Sequence, residues 1–198
     1  MSVARRRRLQ LIALAALFVG PLGLSAWLYY HAGSWRPAGR LNHGVLISPP
    51  RELPPLTLAA VDGRPIDAAL LHRRWSLLTI TDDACGLRCR RALADSAAAR
   101  SALAADALRV QRVLLADRGC CERQLDAAGQ HDLVTAWLDG SERQRLGDSL
   151  VAAGAPAEPG RIYLVDPHGN LVMSYPPGAD RRGLLQDLER LLRLSQIG

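Results

Sequence analysis

The sequence predicts an α/β domain, a mixed β-sheet flanked by helices, preceded by one membrane-spanning helix. Short apolar runs rich in Leu, Ile and Val alternate with longer helical segments, which is typical of α/β folds. Two of these runs enclose one Ala-rich helical segment, as in a β-α-β unit. Residues 9–30 form an apolar run without a charged side chain, which predicts the spanning helix.

The surplus of positive charge lies in the N-terminal segment. The 198-residue chain has a net charge of +6, and residues 1–40 carry six arginines and no acidic residue. The remainder of the chain balances nineteen arginines against nineteen Asp and Glu side chains. A neutral domain lacks the basic surplus that nucleic-acid binding requires, so we expect no nucleic-acid partner.

The apolar run has the length and the flanks of a membrane anchor. As a helix it would extend about 33 Å, enough for the ~30 Å hydrocarbon core. Trp27, Tyr29, Tyr30 and Trp35 cluster at its far end, where an aromatic belt belongs. Four arginines at 5–8 precede it and favour a cytoplasmic N-terminus in a bacterial inner membrane. The predicted order is a basic cytoplasmic N-terminus at 1–8, a single-pass anchor at 9–30, a periplasmic tether at 31–52 and a periplasmic domain at 53–198.

This segment could instead be a cleaved signal peptide. Leu24-Ser25-Ala26 would supply its cleavage site. The apolar run is longer than the roughly 7–15 residues usual in signal peptides, which favours a retained anchor. Both interpretations export the domain to a compartment in which disulfides form.

The domain begins with a predicted hairpin at 56–66, whose turn is Asp62-Gly63. A buried strand at 77–81, a helix at 90–108 and a strand at 110–116 follow. Strands joined in this way are parallel neighbours, so the loops after them open on the same edge of the sheet. Ligands of open α/β sheets bind at that edge.

The rest of the domain is predicted as a strand, a helix, a hairpin and a last helix. Ser141 would cap the first of these helices, and Asp180 would cap the second. The predicted elements are a strand at 133–138, a helix at 141–150, a hairpin at 161–175 and a helix after Asp180 with Leu184, Leu185, Leu188, Leu191 and Leu192 on one face.

Cys85 and Cys89 lie where the first strand of the β-α-β unit turns into the helix. Residues four apart lie on one face of a helical turn, so the two sulfurs can converge. The helix N-terminus and the neighbouring arginines favour thiolate over thiol. The pair suits either a soft metal ion or exchange with a disulfide. The pair could also form a local structural disulfide, although this bond would close too small a loop to stabilise the fold much.

Cys120 and Cys121 lie in the loop after the second strand, so all four sulfurs are expected to approach one another. A disulfide between adjacent cysteines closes a strained eight-membered ring and would be reducible. One of these cysteines would either supply a third thiolate for a metal or resolve a disulfide formed at Cys85 or Cys89. The two cysteines could equally form a disulfide within the loop or stay as idle thiols.

From about Leu53 to Leu194, the order of these motifs resembles the Sco/SenC family, thioredoxin-fold copper proteins that help to assemble cytochrome c oxidase. The most specific motif is Cys85-x-x-x-Cys89, because thioredoxins use C-x-x-C. The remaining motifs are Val61-Asp-Gly-Arg-Pro65, Leu114-Leu-Ala-Asp117, Asp139-Gly-Ser141 and Ile162-Tyr-Leu-Val-Asp-Pro-His-Gly169.

The resemblance implies a thioredoxin-like fold and a membrane-anchored periplasmic factor for cytochrome c oxidase assembly. Cys85 and Cys89 would act either as a Cu(I) carrier or as the thiol reductant of the oxidase copper site. Copper is the cofactor implied, if there is one. The implied partner is an oxidase subunit or another assembly factor. The anchor at 9–30 would hold the chain in the inner membrane.

Two departures from the family pattern affect the ligand set. The family pattern Cys-Pro-x-x-Cys-Pro is Cys85-Gly-Leu-Arg-Cys89-Arg90 in this chain. The family's metal-binding histidine is missing, and Glu158 falls at about its place. A hard carboxylate is a poor replacement for imidazole on Cu(I). The candidate metal ligands are therefore Cys85 and Cys89, joined by Cys120, Cys121 or Glu158.

Two further classes of function remain open from the sequence. The chain would be a general periplasmic thiol–disulfide oxidoreductase if Cys85 attacks many exported proteins and Cys89 resolves the product. It would be a non-catalytic thioredoxin-like module if the cysteines are structural and the domain only binds a partner. Copper binding would separate the assembly factor from both, and a measurable exchange rate would separate the oxidoreductase from the module.

Overall fold

A computed structural model describes residues 3–31, 42–60, 64–81, 85–117, 120 and 132–195. The chain divides into two compact units, Met1–Leu41 and Asn42–Gly198. The first unit contains helix α1 (Val3–His31). Within it, Arg5–Tyr30 is long and apolar enough to cross a membrane, which agrees with the predicted anchor.

In the described residues of the second unit, eight strands form one sheet. Its strands are β1 (Val45–Glu52), β2 (Leu58–Ala60), β3 (Pro65–Ile66), β4 (Trp75–Ile80), β5 (Val110–Ala116), β6 (Leu133–Trp137), β7 (Ile162–Val165) and β8 (Asn170–Tyr175). The strand order is β1-β8-β7-β4-β5-β6-β2-β3. Strands β4, β5 and β6 run parallel, and every other neighbouring pair is antiparallel. The predicted mixed sheet is therefore confirmed.

Helices cover both faces of this sheet. They are α2 (Leu87–Ala102), α3 (Gly140–Ala152) and α4 (Arg181–Leu194), with 3₁₀ helices at Ala68–Leu71 and Ala104–Arg109. On one face Leu77 packs in a core with residues of α2 and α4. On the other face Leu78 packs in a core with Leu146 and Leu150 of α3. Successive residues of a strand point to opposite faces, so β4 is buried on both sides.

The predicted β-α-β unit is confirmed, but its helix is shorter than predicted. Leu77 pairs with Arg112 and Leu78 with Val113 in the parallel register. Helix α2 begins at Leu87 and ends at Ala102, where the sequence predicts residues 90–108. Ala104 has a φ of 50°, in the left-handed region that L-residues seldom adopt. The helix thus ends before the run of good helix formers does, because the chain has to turn there to enter β5.

The cap of α3 differs from the prediction by two residues. The Asp139 side chain, and not Ser141, accepts a hydrogen bond from the Glu142 N–H at 2.9 Å. The Ser141 hydroxyl donates to Asp139 Oδ1 at 2.8 Å. The Glu142 backbone bond, followed by the Ser141 bond, lowers the pKa of Asp139. Ser141 therefore supports the cap instead of forming it. Asp180 caps α4 as predicted, accepting from the Arg182 and Gly183 N–H groups.

The predicted tether at 31–52 is too long. Residues 45–52 form β1, which pairs with β8 through Val45 opposite Ser174 and Leu46 opposite Met173. The Ser-Pro-Pro sequence at 48–50 conceals this strand, because proline cannot donate to a ladder and is tolerated only at a sheet edge. Part of the tether, residues 32–41, and the predicted Asp62-Gly63 turn lie outside the described residues. The strands beside that turn pair as the predicted hairpin, with Leu58 opposite Ile66.

A buried carboxylate in α4 holds the first residues of the domain. Asp187, 2% exposed, accepts hydrogen bonds from the backbone N–H groups of His43 at 2.8 Å and Gly44 at 3.0 Å. The Tyr175 hydroxyl donates to the same carboxylate at 3.0 Å. A Cβ atom at Gly44 would lie 2.6 Å from Met173 Sδ, so only glycine fits there without movement. The chain is therefore fixed onto α4 just before β1 begins.

Candidate redox site at the carboxyl end of β4

Cys85 and Cys89 form a disulfide, with their Cα atoms 5.1 Å apart. That separation is ordinary for a disulfide. Strand β4 is buried throughout and leads to the site, and α2 begins between the two cysteines. The junction of strand and helix therefore brings the two sulfurs together at the carboxyl end of a central strand.

The N-terminus of α2 favours the thiolate form of this pair once it is reduced. Gly86 is the N-cap, and it has no side chain to accept hydrogen bonds from the first-turn N–H groups. Those groups and the helix dipole stabilise negative charge. A thiolate, and not a thiol, is the species that attacks a disulfide or binds a soft metal.

The two sulfurs differ in access. Cys85 is 8% exposed and Cys89 is 1% exposed. Leu87, between them, is 79% exposed. Of these two buried residues, Cys85 is therefore the more accessible one.

Cys120 lies in the same buried cluster as Cys85 and Cys89. It is 2% exposed, and Leu93, Leu114 and Trp137 pack in that cluster. Its N–H donates to the Asp117 carbonyl at 3.0 Å, which holds it against the end of β5. Cys120 is itself disulfide-bonded, and no described cysteine carries a free thiol. Cys121 lies outside the described residues.

Glu158 lies beside the pair, but arginines engage its carboxylate. Arg161 donates to Glu158 Oε2 at 2.8 Å. Arg88, between the two cysteines, lies 3.9 Å from Glu158 Oε1. A Cβ atom at Gly160 would lie 2.8 Å from the Arg88 backbone, so the loop packs directly on the first turn of α2. The structure thus gives Glu158 the role of an ion-pair partner.

Sequence reasoning missed one polar link at this edge. Arg143 Nε donates to Asp117 Oδ1 at 2.8 Å, and its Nη2 donates to the Thr81 carbonyl at 2.6 Å. Helix α3 thereby bridges the ends of β4 and β5. In the sequence, Arg143 lies 26 positions from Asp117 and 62 positions from Thr81. The sequence signal that could have indicated this link is Asp117, an acidic residue directly after the buried strand β5.

The donor chemistry at the site fits copper through sulfur. Reduced Cys85 and Cys89 would be soft ligands of the kind that Cu(I) prefers, and Cys120 is the neighbouring third sulfur. Glu158 does not fit, because it is a hard ligand already paired with two guanidinium groups. With the cysteines oxidised, the described part of the chain contains no cluster of three or more His, Cys, Asp or Glu side chains able to hold a metal.

A mixed sheet with a cysteine pair at a strand-to-helix junction defines the chain as a thioredoxin-like protein. The family described as transmembrane-like, thioredoxin-like, C-terminal domain matches residues 75–195. The chain belongs to that family. No curated protein is similar enough to the chain to serve as a relative.

Solved structures with the same fold include Sco proteins and thiol–disulfide oxidoreductases. Arabidopsis thaliana ScoI with copper bound is 18% identical, covers 72% of this chain and 99% of its own, and has a TM-score of 0.59. Apo Sco1 from Thermus thermophilus is 17% identical, with coverages of 78% and 99% and a TM-score of 0.61. The thioredoxin domain of a Bacteroides vulgatus thiol-disulfide oxidoreductase is 17% identical, with coverages of 75% and 98% and a TM-score of 0.53. The resemblance to Sco proteins is confirmed at the level of fold.

Proposed function

We propose that this chain is a membrane-anchored thiol–disulfide protein that passes electrons to the cysteines of a partner through Cys85 and Cys89. The observation that carries this proposal is the Cys85–Cys89 disulfide at the β4–α2 junction, with Cys85 the more exposed residue of the pair. A bond that closes so short a loop stabilises a fold little, whereas its position suits exchange.

The exchange proceeds in two balanced steps. The Cys85 thiolate attacks a partner disulfide, forms a mixed disulfide and releases one partner thiolate. The Cys89 thiolate then attacks the Cys85 sulfur and releases the second partner thiolate. The partner gains two electrons, and two protons from solvent convert its thiolates to thiols. The protein is left with the Cys85–Cys89 disulfide, and a second dithiol must reduce it for another cycle.

We place this exchange in the bacterial periplasm, on a cytochrome c oxidase subunit or another assembly factor of the oxidase. Four arginines at 5–8, in the first turns of α1 and before its apolar run, favour a cytoplasmic N-terminus and export of the domain. The Sco/SenC-like order of motifs supports the oxidase copper site as the source of the cysteines to be reduced.

A Cu(I) carrier is the second candidate, because Cys120 lies in the cluster of Cys85 and Cys89. Three thiolates would supply the soft ligand set that a Cu(I) carrier needs, in place of the missing histidine. This function requires both Cys120 and the Cys85–Cys89 pair to be reduced first.

The test uses the reduced full chain in detergent and a peptide with one internal disulfide. We expect one peptide reduced per chain, a mixed disulfide trapped by Cys89→Ser, and no reaction in Cys85→Ser. The rate should be unchanged in Ser101→Ala, a substitution on the exposed side of α2. Equal rates in Cys85→Ser and the native chain would contradict the proposal.

Anaerobic Cu(I) titration of the same variants separates the two candidates. A carrier would bind one Cu(I) per chain, lose it in Cys85→Ser/Cys89→Ser and bind it more weakly in Cys120→Ser. Binding no tighter than that of the double variant would remove the copper function and leave thiol exchange.

A further inference from the structure

A cleft of about 1000 Å³ lies between α2 and α4. Small residues leave room for it, because Ala98, Ala99 and Ala102 line it from α2. Three arginines also line it: Arg91 from α2, and Arg181 and Arg182 from α4. The cleft is therefore open, wide and bordered by guanidinium groups.

The positive charge of the cleft is only partly compensated. Asp95 lies 3.8 Å from Arg91, and the carboxylate of Asp180 is used by the N–H groups at the start of α4. Among the described residues, Arg181 and Arg182 form no side-chain hydrogen bond or ion pair. Cations at a helix N-terminus oppose the helix dipole, so the fold gains nothing from these two charges. Their position suits an anionic ligand.

The cleft begins on α2 close in sequence to the cysteine pair. Arg91 lies two residues after Cys89 on the same helix. Beside the cleft, a nearly closed gap of about 10 Å³ is lined by Asp95, Asp180 and Gly160, and Gly160 packs on the Arg88 backbone. Arg88 is 69% exposed, and Leu87 beside it is 79% exposed. Exposed Leu87 and Arg88 and the cleft residue Arg91 thus follow one another on the first turns of α2.

We infer that the cleft docks an acidic segment of the protein partner, with Leu87 contacting an apolar residue beside the partner's disulfide. The inference rests on the proposed thiol exchange. Acidic side chains in the cleft would pair with Arg181 and Arg182 and bring the partner's disulfide to Cys85. Complementary charge of this kind raises the rate of productive encounter more than it changes the chemistry.

The test compares two peptides of equal length that each contain one internal disulfide. One has four Glu residues next to the disulfide, and the other has four Gln residues there. The reduced full chain in non-ionic detergent should reduce the Glu peptide about tenfold faster at low salt. Salt at about 0.5 M should remove that advantage.

Arg181→Gln/Arg182→Gln should also remove the advantage, while the rate with the Gln peptide stays unchanged. The Gln peptide therefore reports whether the variant is folded and active. Arg193→Gln, at the opposite end of α4, is the matched control and should retain the advantage.

Equal rates for both peptides in the native chain would overturn the docking site and leave thiol exchange standing. Reduction of neither peptide would overturn thiol exchange itself. Phosphatidylglycerol in the micelles tests the other anionic occupant. The cleft binds a lipid headgroup instead if two results are found together. Phosphatidylglycerol would slow the native chain but not Arg181→Gln/Arg182→Gln, and without phosphatidylglycerol this double variant would reduce both peptides at the native rates.

Discussion

Two buried tyrosines of the sheet illustrate how single residues respond to their surroundings. Burial raises the pKa of Tyr163, whose hydroxyl donates to the Pro156 carbonyl, to about 12. Burial, followed by the charge and hydrogen bond of Asp187, raises the pKa of Tyr175 still further above its ordinary value. Both tyrosines therefore stay protonated in the folded domain at a pH at which an exposed tyrosine ionises.

We expect the free energy of unfolding to fall as the pH rises from about 10 towards 12. The unfolded chain loses these two protons near pH 10, while the folded chain retains them, so alkali favours unfolding. The sequence contains no lysine to titrate in the same range. Urea unfolding at a series of pH values should show this fall, and Tyr175→Phe should make it shallower. An unchanged slope in Tyr175→Phe would contradict the assignment, and Tyr29→Phe in α1 is the control.

The sequence locates the sulfurs but not the polar links that surround them. Consecutive parallel strands end at one edge, so the loop after β5 could be placed next to Cys85 and Cys89 from the pattern alone. The structure does put Cys120 in one cluster with them. The pairing of Arg143 with Asp117 and of Glu158 with Arg161 and Arg88 depends on side-chain directions, which the sequence pattern does not define.

Among the elements, β5 and α2 are joined by a buried arginine. The Arg112 side chain, 1% exposed, donates to the Leu93 carbonyl at 2.8 Å and to the Ser96 hydroxyl at 3.1 Å. It also pairs with Asp132, immediately before β6, at 2.7 Å. Burial lowers the pKa of Arg112, and the charge of Asp132 opposes that effect. One guanidinium therefore ties the helix that carries Cys89 to two strands.

Asp132→Asn should lower the free energy of unfolding by about 2 to 3 kcal/mol, because it leaves a buried guanidinium without its counter-charge. Urea unfolding of the full chain measures this loss. Asp106→Asn removes an exposed partner of Arg109 and should cost less than about 1 kcal/mol. Equal losses in the two variants would show that Arg112 does not depend on Asp132.

Elements with strong apolar patterns were predictable, and elements shaped by packing were not. Strand β5 has the predicted bounds, because apolar residues at 110 and 113–116 outweigh the polar Gln111 and Arg112 between them. Strand β1 was missed because prolines mask it, and its assignment depends on pairing with β8, far away in the chain. The end of α2 was missed because the left-handed residue Ala104 carries no glycine or proline signal.

For the whole molecule, the proposed orientation depends on the four arginines at 5–8, which precede the apolar part of α1. Alkaline phosphatase fused to the C-terminus should be active, because that enzyme needs the disulfides that form in the periplasm. Replacing all four arginines at 5–8 with asparagine should lower its activity several-fold, since the positive-inside signal is lost. Arg36→Gln/Arg40→Gln, which removes positive charge from the other side of the anchor, is the control and should keep the activity. Full activity without the four arginines would contradict the orientation.

The attachment of the first strand to the last one bears on the order in which the domain is made. The contact between His43 and Asp187 joins residues 144 positions apart. Among the described strands, β1 has only β8 as its neighbour, so it leaves the ribosome long before its partner exists. Until β8 and α4 have been synthesised, the sheet lacks an edge and the chain cannot close. In the proposed export, the chain would pass through a secretion channel before β1 can pair with β8, and it would complete its sheet on the far side.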